Sequence, residues 1–437
     1  MARYRDDPSA LAALVRPDEV HRDLYIDAEL FALENERVFA RSWVYVGHAS
    51  QVPRPGDYLT ARIGLCPVIM VRQADGTIGV LINRCAHKGN AIVSDACGNV
   101  GRALRCPYHA WTYALDGALV AIPVKGDYAA GFAASTAGGG LASAGAVAIH
   151  HGFVFARLSK EGPDFRGYFG TALAALDNLA ERAPEGELIV AGGCLRSVIS
   201  CNWKIYLENI VDPVHPMSTH ESVAQAAGKV ASVMANAGAD QAALEQLLPF
   251  GVNYSFFGKS GARTFANGHA ILGTKASLHS GYAALPDYEA MLARRHGDER
   301  ARAILAFSPQ NTVFFPSIAF KGAPQTLRVL RPLAVDRTLV EIWAFALKGA
   351  PAALLQRTLM YNRLVFSPMS AIAHDDFSVF ETIQRSLAAP GNVWVSLHRG
   401  YRGSEDAERS YDTDDGNDER PMRNFYHAWR RLMAAVE

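Results

Sequence analysis

The chain has 437 residues, is 49% hydrophobic and balances 43 Lys plus Arg against 43 Asp plus Glu. That is enough apolar material for more than one packed core, which excludes disorder as the default state. With no net charge there is no global field toward nucleic acid or an anionic membrane, so a small molecule is the expected ligand.

The opening, MARYRDDPSA, is charged, and nowhere do 18 uncharged apolar residues run together. Neither a signal peptide nor a membrane span is expected, which points to the cytoplasm. Six cysteines are too few for a disulfide scaffold in a chain of this size, and a reducing compartment leaves them free for metal or core. Cys66, Cys97, Cys194 and Cys201 have no partner at ligand spacing and read as core or incidental residues.

In chain order, DAELFALENERVFARSW near the start has a helical pattern. The text from Tyr58 to Asn83 is β-branched and split by Asp75-Gly76, a dipeptide suited to a hairpin turn. A small β region is expected to run from there to about residue 158, interrupted by an Ala/Gly-rich surface excursion, AAGFAASTAGGGLASAGA. Beyond it helical and strand patterns alternate without a fixed repeat, which suggests a second, α+β domain.

Two loops of the β region carry the first chemistry. CAH at 85–87 and CPYH at 106–109 supply two thiols and two imidazoles, with 18 residues between His87 and Cys106. Structural zinc sites usually pair Cys with Cys and His with His at short spacing, whereas here each loop offers one of each. The mixture suits a Rieske [2Fe-2S] centre, where two thiolates hold one iron and two neutral imidazoles the other. Replacing anionic sulfur by neutral nitrogen raises the potential to roughly −150 to +300 mV, which makes the cluster a relay. Gly89 and Pro107 fit the tight turns of such loops, and tetrahedral zinc is the alternative.

The second constellation is NWKIYLENIVDPVHPMSTH at 202–220. Trp203, Leu207, Ile210 and Val211 fall at helical spacing, so Asn209, Asp212 and His215 are expected to project from one region of an amphipathic helix. His220 would lie about 140° around a regular helix from His215, so sharing an ion requires a bend, which is expected at Pro216. The alternative is two unrelated histidines. A carboxylate to join them comes from MSAIAHDDFSVFETIQRSL at 369–387, where Ile372, Asp376, Val379, Phe380, Ile383 and Leu387 form one stripe. An acid on an apolar stripe needs a cation or donors to offset its desolvation, and a metal would serve. Asp375, about 100° away, is expected beside Ser378 and Thr382, satisfied by solvent or a neighbour. His215, His220 and Asp376 would then form a 2-His-1-carboxylate triad on Fe(II). The alternative has Asp376 capping the helix or pairing with Arg385.

In this order, CAHKG, CPYHAW and NWKIYLENIVDPVHPMSTH resemble the large (α) terminal-oxygenase subunits of the Rieske non-haem iron ring-hydroxylating oxygenases. AHDDFSVFETIQ resembles that family's acidic third-ligand helix. The resemblance covers most of the chain. It implies an α+β fold with a small all-β Rieske domain over 41–157 and a larger helix-grip (Bet v 1/START-like) catalytic domain with an antiparallel sheet over 158–437. Residues 1–40 would be a helical segment packing on the catalytic domain.

By the same resemblance, Cys85, His87, Cys106 and His109 hold the [2Fe-2S] cluster, and His215, His220 and Asp376 hold a mononuclear Fe(2+). Asp212 and Asn209 are the expected catalytic residues. In a head-to-tail trimer, Asp212 would link His109 of one subunit to His215 of the next. Lys88 stands where the family usually has arginine, and Ala110 where it usually has glycine. The three-residue step from Asn209 to Asp212 resembles relatives acting on aromatic carboxylates such as anthranilate or salicylate.

The implied activity is that of a terminal oxygenase component: with O2 it hydroxylates, and by expectation cis-dihydroxylates, an aromatic compound. The chain shows no G-x-G-x-x-G stretch and no plant-type ferredoxin pattern. Electrons are therefore expected from a separate NAD(P)H-dependent reductase, directly or through a ferredoxin. The implied assembly is a homotrimer or an α3β3 complex with a small β subunit, with no nucleic acid or membrane partner. Alternatives are a Rieske-type monooxygenase or demethylase and, in a different class, a Rieske protein that only transfers electrons.

Overall fold

A computed structural model describes residues 3–129, 132, 139–237, 242–282, 284–285, 287–403, 405 and 409–435. The chain forms two compact units, Phe39–Pro163 and Met1–Val38 with Asp164–Glu437.

The smaller unit consists of short antiparallel sheets. One runs in the order Ile78–Ile82, Cys66–Arg72, Asp57–Ile63, Cys97–Asn99. The first two of these strands meet in a hairpin where Gly76 takes a φ of 86° that a side chain would resist, and Thr77 N–H donates to Asp75 Oδ1 at 2.9 Å. Two further three-stranded sheets complete the unit: Leu104–Arg105, Thr112–Tyr113, Leu119–Ala121, and Ala146–His150, Phe153–Arg157, Val44–His48. Residues 130–131 and 133–138 of the Ala/Gly-rich excursion lie outside the described residues. Its last part is no excursion: Leu141 is buried, and residues 142–144 pair with the edge of Ile78–Ile82. The open amides of an edge strand outweigh the small side chains there. Of the four cysteines read as core or incidental, Cys201 is buried, Cys66 and Cys194 are half-buried, and Cys97 is exposed; all four are free thiols.

The larger unit is built on one eight-stranded antiparallel sheet. Its order is Leu188–Ile199, Arg337–Leu347, β3 (Thr326–Ala334), β2 (Ile318–Lys321), β1 (Asn311–Phe314), Ala270–Leu272, Ala262–Thr264, Tyr411–Thr413. The first strand bulges between Ala191 and Cys194, where Gly192 and Gly193 both take positive φ. At a φ of 74° a side chain at Gly192 would be strained, and its Cβ would displace the Leu359 methyl 2.2 Å away.

Five helices matter for the site: α1 (Ala28–Glu34), α2 (Trp203–Val211), α3 (Pro216–Thr219), α4 (Ala371–Leu387) and α5 (Arg420–Ala434). The stripe read for α2 is buried, but so are Lys204, Ile205 and Tyr206, so this is a helix in the core with little amphipathic character. A buried lysine needs a partner, and α1 supplies it. Glu34, itself fully buried, accepts from Lys204 Nζ at 2.6 Å, Trp203 Nε1 at 2.8 Å and Trp429 Nε1 at 2.7 Å. One carboxylate thus joins α1, α2 and α5.

Asn202 caps α2, accepting from Lys204 N–H, while its own N–H donates to Gln384 Oε1 of α4 at 2.8 Å. Toward its other end, Asn311 of β1 donates to the carbonyl of Ile210 at 2.8 Å. The helix is therefore held to α4 at its start and to the sheet near its end.

Losing one member of the Glu34–Lys204 pair would strand a buried charge. Lys204→Met or Glu34→Gln should lower unfolding stability by about 3–5 kcal/mol, read from denaturant melts, whereas a change below about 1 kcal/mol would contradict the account.

A second acid on α2 gives a pH signature. Burial pushes Glu208 up to about 7, against the lowering effects of the Tyr25 and Tyr426 hydroxyls and Lys204. A carboxyl with a folded pKa above its unfolded value stabilises the fold at low pH and loses that contribution as pH rises through about 7. Relative to Glu208→Gln, the parent chain should lose up to about 3 kcal/mol between pH 4.5 and pH 8. A pH-independent difference between the two urea midpoints would refute this.

Candidate metal centres

In the smaller unit the two Cys/His loops have the same turn. Cys85 N–H donates to Asn90 O and Gly89 N–H returns to Cys85 O; Cys106 N–H donates to Trp111 O and Ala110 N–H returns to Cys106 O. Each turn needs a residue at positive φ, filled by Gly89 at 77° and by Ala110 at 55°. The glycine usual at the second position would adopt this backbone freely, whereas alanine takes it with some strain. The thiols of Cys85 and Cys106 are buried and the His109 imidazole is exposed. The His87 ring is half-buried, stacked on Trp111 at 4.8 Å, and 4.7 Å from the His109 ring.

The donor chemistry suits an iron–sulfur cluster. Burial pushes the Cys85 thiol up, but the Tyr113 hydroxyl, the amides of His87 and Lys88 and the Cys106 thiol together hold it below its usual value. Burial, His109 and Lys88 hold His87 below its usual value, toward the neutral ligand form. His87 Nδ1 is buried without a hydrogen-bond partner, as a donor reserved for a metal would be. A single tetrahedral zinc would draw its donors within about 4 Å of each other. Among the described residues no three of these four side chains bring their donors within 4.8 Å, which suits a two-iron cluster better than one ion.

In the larger unit His215, His220 and Asp376 do converge, with their donor atoms all within 4.8 Å. The path to this arrangement corrects the sequence reading. α2 ends at Val211, and Asp212 is extended (φ −103°, ψ 107°), because Pro213 disfavours helical geometry in the residue before it. His215 is helical (φ −57°, ψ −33°), and Pro216 opens α3 as its first residue instead of bending the chain. His215 and His220 thus flank the one-turn α3, so His215 does not project from α2 with Asn209.

On α4 the stripe also needs correcting. Val379 and Ile383 are 41% and 39% exposed, and the buried positions are Ile372, Ala373, Phe380 and Gln384. Asp376 falls on the line 372–376–380–384, with its carboxylate 3.6 Å from His215 Nε2 and 3.4 Å from His220 Nε2. Neither alternative for Asp376 holds: Ser370 caps α4, and Arg385 donates to the Glu381 carbonyl. For Asp375, expected to be satisfied by solvent or a neighbour, the neighbour is His220, whose Nδ1 lies 3.3 Å from its carboxylate.

Burial would push His220 down, but Asp376 and Asp375 together hold it above its usual value. Asn209 Nδ2 lies 3.0 Å from His215 Nε2 and donates to Asp376 Oδ1 at 3.2 Å. Asp212 Oδ2 is 3.7 Å from His215 Nδ1, and Asp212 Oδ1 accepts from Val214 N–H at 2.9 Å and Arg399 at 3.0 Å. His215 Nδ1 is buried with no hydrogen-bond partner. Two imidazoles and one carboxylate that converge in this way fit a ferrous ion with open positions.

The trio borders a cavity lined mainly by apolar groups, including Phe250, Phe257, Leu272, Leu278, Tyr361, Val365 and Phe366. Lys321 and Arg328 also line the cavity, and nothing in the sequence singled them out because a cation in a strand pattern gives no sign of which face it takes; nor did anything single out Arg399, which lies in a turn far along the chain from Asp212.

Comparison with known proteins agrees with both centres. Residues 42–133 match the Rieske [2Fe-2S] domain, and residues 177–435 match the ring hydroxylating alpha subunit (catalytic domain). The chain is 29% identical to the biphenyl dioxygenase subunit alpha of Paraburkholderia xenovorans, over 98% of this chain and 94% of that one. It is 28% identical to the anthranilate 1,2-dioxygenase large subunit of Acinetobacter baylyi, over 87% of this chain and 80% of that one. A crystal structure of a naphthalene 1,2-dioxygenase variant bound to phenanthrene shares the fold with a TM-score of 0.79 at 24% identity, over 99% of this chain and 95% of that one. The chain belongs to the ring-hydroxylating oxygenase α subunits, iron-dependent aromatic-ring dioxygenases that pair a Rieske [2Fe-2S] domain with a mononuclear-iron catalytic domain.

Proposed function

We propose that Cys85 and Cys106 hold one iron of the cluster and His87 and His109 the other, and that His215, His220 and Asp376 hold the mononuclear iron. Phe39–Pro163 is then the electron-relay domain and the rest of the chain the oxygen-activating one. The observation that carries this reading is the convergence of two imidazoles and one half-buried carboxylate at the wall of an apolar cavity. When bound, the cluster would supply electrons one at a time and the mononuclear iron would supply the site of oxygen activation.

The protein's own residues have separable roles. Asp375 holds His220 by Nδ1 so that Nε2 faces the ion, the outer-shell arrangement that fixes ring orientation and tautomer. Asn209 keeps the His215 and Asp376 donors together from the end of α2. Asp212, held by Arg399 and the Val214 amide, positions His215 from its far side; in a head-to-tail trimer it would also face His109 of the partner subunit. The apolar lining keeps bulk water from the reacting ring.

We favour cis-dihydroxylation over monooxygenation or demethylation because the relatives named above are dioxygenases. The working partners are then an NAD(P)H-dependent reductase, directly or through a ferredoxin, and the assembly is a homotrimer or an α3β3 complex. Among the described residues no helix is long and apolar enough to cross a membrane, and we place the protein in the cytoplasm.

Asp376→Ala should lose the mononuclear iron while the visible and EPR signatures of the cluster persist, and Asp375→Asn should weaken ferrous binding by about 10- to 100-fold. If Asp375→Ala empties the site and Asp376→Ala leaves it full, the two acids have been assigned the wrong way round. Asp212→Asn should keep both metals and lose turnover by about tenfold or more, measured as product formed per reduced cluster. A fully active, metal-replete variant would remove Asp212 from the mechanism.

A further inference from the structure

The floor of the cavity carries an electrostatic feature that oxygen activation does not use. Register places Val313 opposite Ala319, Ala319 opposite Arg328, and Lys321 opposite Thr326, so Lys321 and Arg328 are diagonal neighbours on one face of β2 and β3. Both are almost fully buried, at 4% and 5% exposure, and both line the cavity that contains His215, His220 and Asp376.

Neither has a carboxylate partner among the described residues. Arg328 donates to Asn311 Oδ1 and lies with its guanidinium 5.0 Å from the Phe366 ring centroid. Lys321 Nζ donates to the Gln310 carbonyl and lies 3.3 Å from His279 Nε2. This differs from how the same unit treats Lys204, Arg331 and Arg423, which are buried to a similar degree and each face a carboxylate. Arg182, also buried without one, donates to the carbonyls of Ile304 and Phe307.

The cavity's own carboxylates do not serve the cations. Asp376 lies between His215 and His220, and Asp212 is held by Arg399. A divalent iron held by a single carboxylate adds positive charge and removes none. Two adjacent buried cations without a counter-charge are costly. Burial and the neighbouring Arg328 accordingly hold Lys321 well below its usual value, and His279 beside it is held low by burial and by both cations. An anion entering the cavity would relieve all of these at once.

We propose that Arg328 and Lys321 form the subsite that receives the carboxylate of an aromatic acid, so that the ring to be hydroxylated is presented to the iron by its acidic substituent. The guanidinium offers two parallel N–H donors to a planar carboxylate, the ammonium adds a point charge, and Asn311 holds Arg328 in place from β1. The apolar wall of Phe250, Phe366 and Ile372 is left for the ring. This rests on the cavity being the substrate site of the oxygenase, and it goes beyond that reading by naming the charge of the substrate.

The test is calorimetric titration of the holoenzyme, as isolated and without an electron donor, with benzoate, its neutral isostere benzamide and toluene. Benzoate should bind about tenfold or more tightly than either neutral ring. In Arg328→Gln and Lys321→Met, with circular dichroism unchanged, that preference should shrink toward unity while toluene binding is retained. Equal affinity of the unmodified enzyme for benzoate and benzamide overturns the proposal without recourse to any variant. So does a preference for benzoate that survives in both variants, since the charge would then be read elsewhere. Because no turnover is required, a preparation unable to hydroxylate any ring would count against the oxygenase assignment and leave this binding result readable.

Discussion

The catalytic domain depends on one buried carboxylate. Glu34 accepts from two indoles and an ammonium, none of them accessible to water, and in doing so fixes α2 against α1 and α5. Without that acid Lys204 could not be buried, and α2 would have to turn a polar face outward. With α2 fixed in the core, its end is fixed too, and the break at Asp212-Pro213 carries the chain into the short helix that separates the two histidines. Gln384 of α4, bonded to the Asn202 amide at the start of α2, places Asp376 against them. The metal-binding geometry therefore follows from helix packing that is settled well away from it.

Charge is distributed in the domain to match. Lys204 and Arg331, both buried in this unit, are each accompanied by a carboxylate, Glu34 and Glu341 respectively. Two acids instead stand beside an imidazole, Asp376 toward Nε2 of His220 and Asp375 behind the ring at Nδ1. In the cavity wall Lys321 and Arg328 lie side by side with no carboxylate on either among the described residues, and Asn311 links Arg328 back to α2. The smaller unit follows the same logic: its thiols are part of the hydrophobic core, with Trp111 and Tyr113 packed around them, and His109 looks outward.

Much of this was legible in the residues because ligand chemistry is local. A Cys and a His in each of two turns, and two histidines near an acid, are short-range patterns that depend little on the rest of the fold. The chain path was harder to read. Pro216 looked like the bend, yet a proline is tolerated in the first turn of a helix, and the break came at Pro213 through its effect on Asp212. The stripe on α4 put Asp376 on the correct line but counted Val379 and Ile383 as buried, because periodicity gives a direction and not the width of the covered face. Lys204, Lys321 and Arg328 were unreadable for one reason: whether a long cation reaches solvent or turns inward is decided by partners tens to hundreds of residues away.

The central claim is that one chain contains two iron centres of unlike kind, a sulfur-bridged pair and a single ion held by nitrogen and oxygen. Mössbauer spectroscopy of 57Fe-enriched protein tests it most directly. The account predicts the paired signals of a Rieske cluster, with distinct sulfur- and nitrogen-ligated sites, together with a separate ferrous signal that a mild chelator removes while the pair remains. A spectrum showing the pair alone after the protein has been incubated with excess 57Fe(II), or a site that retains zinc in its place, would contradict it.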